Sequence, residues 1–273
     1  MFGPAWTLPW ALPEKVLEWL QKLASVLDPR MQGRFIALFV GMLFATGRRS
    51  VARWLAVLGA AEHWSLFYYL LSSLGGKIRG LVRQWLVILI SELLRGKQVL
   101  LVVDDTVLRR YGPKVQGGCI HRNPSPQPGE GAFCYGCSWV TVACVLRHPL
   151  YGPVCIPIGS KLQVSREGMG KMPPYWGFQT KPQLALEQVL EVAEELQKQG
   201  IPVMVVQDGA YTHREYVRRL RAAGLVVIGR LRSDAALWDL PPPREPGQQG
   251  RPRLYGTKRI SLAKRAGHPK GWQ

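Results

Sequence analysis

Two aspartates stand where the sequence predicts that a buried β-strand ends. Asp104 follows the apolar residues 99–103, and Asp208 comes shortly after the apolar residues 203–206. Ligands of α/β sheets bind at the carboxyl ends of strands, so we expect the two carboxylates to converge if these strands are neighbours. Adjacent like charges need neutralising, and a hard cation such as Mg²⁺ or Mn²⁺ does this through oxygen ligands. The simpler interpretation is that each aspartate caps a turn or the helix after it.

The charge of the chain indicates which substrate such a cation would serve. The sequence carries 36 Lys and Arg against 18 Asp and Glu, a net charge of +18. A compact protein with this excess favours a polyanion as its partner, with nucleic acid first and an acidic membrane surface second. Paired metal ions can clamp the attacking and leaving oxygens of a phosphodiester. Together the charge and the aspartates predict cutting or joining of DNA.

A membrane or export function is not expected. The longest apolar run, residues 35–46, is shorter than the ~18 residues that cross a bilayer. The first residues show no basic segment followed by an apolar stretch and a cleavage site. We therefore expect a cytoplasmic protein, associated with the nucleoid through its DNA.

The elements that must position the aspartates fall into two parts. Apolar residues at three- and four-residue steps predict helices at about 14–27, 31–45, 50–58, 62–73 and 77–94. From residue 99 the pattern changes to buried strands, with a strand pair at 138–146 and 151–158. Capping boxes at Thr180 with Gln183 and at Thr212 with Glu215 predict two later helices, the second between parallel strands. We expect an all-helical DNA-binding domain at 1–97 and an α/β domain at 98–273.

Three blocks of the sequence occur in succession: Val102-Val103-Asp104-Asp105-Thr106, Val205-Val206-Gln207-Asp208-Gly209-Ala210-Tyr211 and Gly250-Arg251-Pro252-Arg253-Leu254-Tyr255-Gly256. They resemble the successive blocks of DDE-type insertion-sequence transposases. The resemblance implies a ribonuclease-H-like mixed sheet, Mg²⁺ or Mn²⁺, and cleavage and strand transfer at transposon ends in double-stranded DNA. Its Asp-x-Thr block selects Asp104 over Asp105 as the first catalytic and metal-binding acid, and Asp208 matches the second.

The same resemblance leaves one acid unassigned. The family carries a third acid, a Glu in a Tyr-x-x-Arg-Trp-type segment beyond a Pro- and Arg-rich insertion, here residues 233–260. These 273 residues contain no such segment. The resemblance thus implies an incomplete catalytic domain, as in a truncated or frame-shifted copy that is inactive alone or works as a homo-oligomer or with a full-length transposase.

Further residues are candidates for DNA and zinc. We expect DNA contacts from three groups of arginines: Arg48, Arg49 and Arg53 at a helix start, Arg218 and Arg219 with Arg221 on a later helix, and Arg251 and Arg253 beside Pro252. A solvated helix face explains the first group equally simply, and a solvated linker explains Arg251 and Arg253 more simply. A zinc site of Cys119, His121, Cys134 and Cys137 is a weaker candidate, because only one close cysteine pair is present.

Two other functions stay open. A DNA-binding remnant without catalysis would keep the basic helices and lack the third ligand. A haloacid-dehalogenase-like phosphohydrolase also begins with a strand that ends in aspartates. It needs a second Asp two residues after the first, and Thr106 stands in that place.

Overall fold

The first half of the chain begins with helices, as predicted. The structure, a computed structural model, describes residues 12–94, 98–123, 126–231 and 234–267, without the side chains of 263 and 266. Its first α-helices are α1 (Glu14–Ala24), α2 (Pro29–Phe44), α3 (Val51–Val57), α4 (Trp64–Ser73) and α5 (Ile78–Glu92). Asp28 and Ser50 cap α2 and α3 by accepting backbone N–H groups with their side-chain oxygens. These helices confirm the pattern of three- and four-residue steps.

The helices divide between two apolar clusters. Helices α1 to α4 surround a cluster that includes Val40, Leu55, Phe67 and Leu70. Helix α5 instead packs against the sheet through Leu86 and Leu89 and its neighbours. Helix α5 precedes residue 97 but belongs to the core of the sheet. The domain boundary at residue 97 stays a prediction.

A mixed sheet follows, with the strands β1 (Val99–Arg109), β2 (Cys119–Arg122), β3 (Phe133–His148), β4 (Gly152–Gln163), β5 (Val203–Gln207) and β6 (Val226–Gly229). The strand order is β2-β3-β1-β5-β6, and β4 also pairs with β3. Strand β3 runs antiparallel to β1 and to β4, whereas β1, β5 and β6 are parallel. The predicted hairpin and the predicted parallel unit are confirmed, and the arrangement is consistent with the ribonuclease-H-like α/β fold.

Two crossover helices connect the parallel strands. Helix α6 (Lys181–Lys198) begins at the predicted capping box, in which Thr180 and Gln183 each bond the other's backbone. Helix α7 (Arg214–Ala222) does not begin as predicted. Its N-cap is His213, and the Thr212 hydroxyl donates to the backbone carbonyl of Asp208 at 3.1 Å. The predicted capping box at Thr212 is therefore wrong, because the Thr212 hydroxyl is already hydrogen-bonded within the short turn after β5.

The two faces of the sheet differ in their cover. Helices α5, α6 and α7 bury one face, where Leu101 and Val103 lie in the main core. On the opposite face Val226 is 51% exposed and Ile228 is 49% exposed. No helix in the described ranges covers that end of the second face.

The carboxyl-terminal part holds a small hairpin. Strands β7 (Leu237–Trp238) and β8 (Arg259–Ile260) pair antiparallel, and α8 (Leu262–Ala266) follows. The intervening residues 241–253 contain no helix or strand and are almost entirely exposed. This is the Pro- and Arg-rich segment that the sequence predicts as linker-like. In the described ranges, the structure contains no helix long and apolar enough to cross a membrane.

Candidate active site

The two predicted aspartates start from adjacent positions on neighbouring strands. The last residues paired between β1 and β5 are Val103 and Gln207, and Asp104 and Asp208 are the next residues of each chain segment. Strands in a sheet lie about 4.8 Å apart, and partners in parallel strands share a face. Since Asp104 comes two residues after Val102 and Asp208 two after Val206, both extend the less covered face. Both are exposed.

The contacts of these carboxylates leave them suited to a cation. The Asp104 Oδ1 accepts the backbone N–H of Asp105 at 2.8 Å, and the Asp208 Oδ1 accepts that of Gly209 at 2.6 Å. Within the described ranges, no Lys, Arg or His forms an ion pair with either carboxylate. Two carboxylates with oxygen atoms to spare, and with no protein cation beside them, are the donor set that Mg²⁺ or Mn²⁺ prefers.

A third acid does not join them in the described part of the chain. Nowhere in that part do three His, Cys, Asp or Glu side chains come close enough to hold one ion. Asp239 is occupied in the β7–β8 hairpin, where its Oδ1 accepts the backbone N–H of Lys258 at 3.0 Å. Glu245 lies exposed in the Pro- and Arg-rich segment. Two carboxylates are thus what this site assembles.

Asp105 is on the opposite face from Asp104. It pairs with Val140, on the side of the sheet that α6 covers. There its Oδ1 accepts the Tyr211 hydroxyl at 2.9 Å, and its Oδ2 lies 2.5 Å from the Lys181 Nζ. Alternation along β1 thus directs Asp105 away from Asp104, and its two partners make it a structural link between β1, α6 and the turn after β5.

The electrostatics of the face that α6 covers follow from burial. Tyr211 is 1% exposed, and burial, together with the neighbouring Asp105 carboxylate, raises the pKa of its hydroxyl. His121 on β2 is half-buried, and burial followed by the charge of Lys181 lowers the pKa of its imidazole. This burial supports a packing role for Tyr211 rather than a contact with DNA.

Sequence reasoning did not find Lys181. A helix that crosses between parallel strands runs antiparallel to them, so its first residue lies at their carboxyl ends. Lys181 is that first residue of α6. The signal was present in the order strand, helix, strand, but the pairing with Asp105 across 76 residues needed the folded chain.

The predicted DNA-contacting arginines are exposed but differ in their contacts. Arg48 and Arg49 are in the loop before α3, and the Arg53 Nε donates to the carbonyl of Thr46 at 3.4 Å. On α7, Arg218 makes two hydrogen bonds to Glu215, which neutralises part of its charge. The other exposed candidates are Arg219, Arg221, Arg251 and Arg253. Their contact with DNA stays a prediction.

The zinc hypothesis does not fit the described residues. Cys134 and Cys137 are three residues apart on β3, and side chains alternate along a strand, so the two thiols start from opposite faces. Cys119 and His121 do meet, with 3.1 Å between the sulfur and Nε2. A pair is not a tetrahedral set, and the described ranges hold no group of three possible ligands.

Comparison with known proteins agrees with the geometry. The sequence pattern of one family, described as DDE superfamily endonuclease, matches residues 23–273. A search among curated proteins found no match. The family match spans helices α2 to α8, the sheet and both aspartates, so the chain belongs to the DDE superfamily endonucleases.

Proposed function

We propose that the protein is a transposase-type nuclease that cleaves DNA and transfers strands at transposon ends. The observation that carries the proposal is the adjacency of Asp104 and Asp208, which extend one face of neighbouring parallel strands. The membership in an endonuclease family supports the reaction class. It leaves the haloacid-dehalogenase-like alternative without support.

In this proposal Asp104 and Asp208 hold the divalent cation. A bound Mg²⁺ or Mn²⁺ would polarise the phosphodiester and stabilise the developing charge on its oxygens. The chain's own contribution is placement, because each carboxylate is fixed by a backbone N–H donor one residue later. The strand ends hold both groups on one side of the sheet, where DNA can approach.

Charge supports DNA as the substrate. Residues 29–91 contain eight Lys or Arg and a single acid, Glu62. Exposed Arg48 and Arg49 lie within that stretch. A long basic region with almost no acids suits the phosphate backbone and predicts strong salt dependence. Homo-oligomers, a full-length transposase partner and association with the nucleoid are further predictions from the resemblance.

A second candidate function is a DNA-binding remnant without cleavage. The observation that favours it is the missing third carboxylate, since no described group of three acids or other ligands forms. Two-metal cleavage needs protein ligands for both ions, and two aspartates leave the second ion poorly held. We therefore expect residues 1–273 to bind DNA and to cleave it weakly or not at all in Mg²⁺.

The less covered sheet face supports a role for an additional helix. Val226 and Ile228 are about half exposed on the face that Asp104 and Asp208 extend. An apolar surface beside the proposed metal site suits a helix that carries a third acid. We expect such a helix, supplied as a separate chain, to restore part of the cleavage.

Calorimetric titration with Mn²⁺ tests the proposal. Asp104→Ala and Asp208→Ala should each abolish binding, because either change leaves one carboxylate. Glu194→Gln is the control, since Glu194 is an exposed acid on the far part of α6, paired with Lys198. An absence of Mn²⁺ binding by the parent, or equal losses in all three variants, would contradict the proposal. Plasmid nicking with and without the added helix then separates the enzyme from the remnant.

A further inference from the structure

We propose that Asp105, Lys181 and Tyr211 form a positioning clamp that sets the separation of the Asp104 and Asp208 carboxylates. The inference rests on the proposed function, because it concerns the same metal site. None of the three residues is a metal ligand in this account. They act through the two residues that are.

The clamp joins three elements at one point. Asp105 is on β1, Lys181 is the first residue of α6, and Tyr211 ends the short 3₁₀ turn (Gly209–Tyr211) after β5. One carboxylate binds both partners, at 2.9 Å to the tyrosine and 2.5 Å to the lysine. A single side chain thereby ties both strand ends to the start of the crossover helix.

Its place in the chain gives the clamp control over the two ligands. The ladder between β1 and β5 ends at Val103 and Gln207, so no further ladder pair holds the strands together at the aspartates. Beyond that point the bond from Tyr211 to Asp105 fastens the turn to β1. Asp105 directly follows Asp104, and the Tyr211 N–H donates to the Asp208 carbonyl at 3.1 Å. Movement of Asp105 would therefore shift the backbone of Asp104, and movement of Tyr211 would shift that of Asp208.

The side chains of Tyr211 and Lys181 would destabilise the fold at these positions if they had no partner. A buried tyrosine hydroxyl needs an acceptor, and Tyr211 has Asp105 for that role. A lysine in the first turn of a helix is opposed by the helix dipole, and no acid of α6 occupies that turn to offset it. Asp105 satisfies both residues at once.

Pairing with Lys181 also sets the charge of the site. Three aspartates lie near the strand ends, with Asp104 and Asp208 on the less covered face and Asp105 on the face that α6 covers. Lys181 neutralises Asp105 on the face that α6 covers. The negative charges of Asp104 and Asp208 then remain for the cation on the less covered face.

The test compares two buried tyrosines. Tyr211→Phe removes one hydroxyl without changing the charge of the site. Tyr216→Phe is the matched control, because Tyr216 is also buried and its hydroxyl has no hydrogen-bond partner in the described structure. Mn²⁺ affinity is measured by calorimetry, far below the melting temperature of each variant, so that a purely structural role would leave it unchanged.

We expect Tyr211→Phe to weaken Mn²⁺ binding by about 10-fold, the usual size of effects from groups that orient metal ligands, and Tyr216→Phe to leave it unchanged. Asp105→Asn gives an independent measurement if Tyr211→Phe does not fold. It keeps an oxygen for the tyrosine, loses the ion pair with Lys181 and should weaken binding by about 10-fold.

The outcomes separate this inference from the proposed function. Parent-like Mn²⁺ affinity in the folded Tyr211→Phe variant, or in Asp105→Asn in its place, overturns the clamp and leaves the proposed function intact. An equal loss in Tyr216→Phe also overturns the clamp. If the parent binds no Mn²⁺, the proposed function fails and the clamp fails with it.

Discussion

Replacing Tyr211 by phenylalanine should destabilise the fold, whereas the same change at Tyr216 should not. Both rings are nearly fully buried, with Tyr211 1% exposed and Tyr216 3% exposed. The Tyr211 hydroxyl donates to the Asp105 carboxylate at 2.9 Å, whereas the Tyr216 hydroxyl has no partner among the described residues. Each substitution removes one hydroxyl group, which is hydrogen-bonded at Tyr211 and has no described partner at Tyr216.

The magnitudes follow from the cost of each hydroxyl. A hydrogen bond to a charged group contributes about 1.5–3 kcal/mol to stability, so Tyr211→Phe should lower the free energy of unfolding by about 2 kcal/mol. At about 2–4 °C per kcal/mol for a chain of this size, the melting temperature should fall by about 4–8 °C. Tyr216→Phe removes a buried unsatisfied group and should be neutral or stabilising, by up to about 1 kcal/mol.

Urea unfolding and thermal melting followed by circular dichroism measure both changes. The parent and the two variants must be compared at one pH near 7, where both tyrosines are protonated. Equal destabilisation by the two substitutions would refute the reasoning, because ring packing would then decide stability. Stability unchanged in Tyr211→Phe would refute it as well.

Three further outcomes are expected. Burial raises the pKa of both Tyr211 and Tyr216. The free energy of unfolding should therefore not change with the ionisation of these tyrosines below about pH 10, and should fall above it as tyrosines ionise in the unfolded chain. In pH-dependent melting, Tyr211→Phe should make that fall shallower by about 1.4 kcal/mol per pH unit. Binding of duplex DNA should weaken with salt along a slope steeper than about −3, and Arg48→Ala should reduce the slope by about 1; binding that is flat in salt would contradict the phosphate contacts. Gly136→Ala should lower the free energy of unfolding in urea by about 1–3 kcal/mol, because its Cβ would clash with the Leu108 carbonyl oxygen; an unchanged midpoint would argue against that close approach.

Local sequence patterns predicted most of the helices and strands because local chemistry decides them. Helix α6 begins at its capping box, and β5 is an apolar run between a glycine and an aspartate. Strand β2 was missed, since its four residues lie within a Gly- and Pro-rich loop and form a strand only by pairing with β3. Strand β1 runs on to Arg109 for the same reason, as the long β3 continues to pair with it.

The candidate site was predictable only in part. The position of Asp104 and Asp208 follows from where two apolar runs end, which a sequence shows. The contacts of Asp105 depend on Lys181 and Tyr211, which are 76 and 106 residues away along the chain. The capping box expected at Thr212 failed because the turn after β5 places Asp208's carbonyl next to that hydroxyl. The contacts of Asp105 arise from tertiary packing, which no local pattern encodes.

The most direct test of the central claim is to locate the cation itself. A crystal of residues 1–273 soaked in Mn²⁺ would be measured at a wavelength where manganese scatters anomalously. The account predicts an anomalous peak from a Mn²⁺ ion on the less covered face of the sheet. Oxygen atoms of Asp104 and Asp208 should each lie about 2.0–2.2 Å from that ion. A peak held by other residues, or no peak beside either aspartate at saturating Mn²⁺, would contradict it.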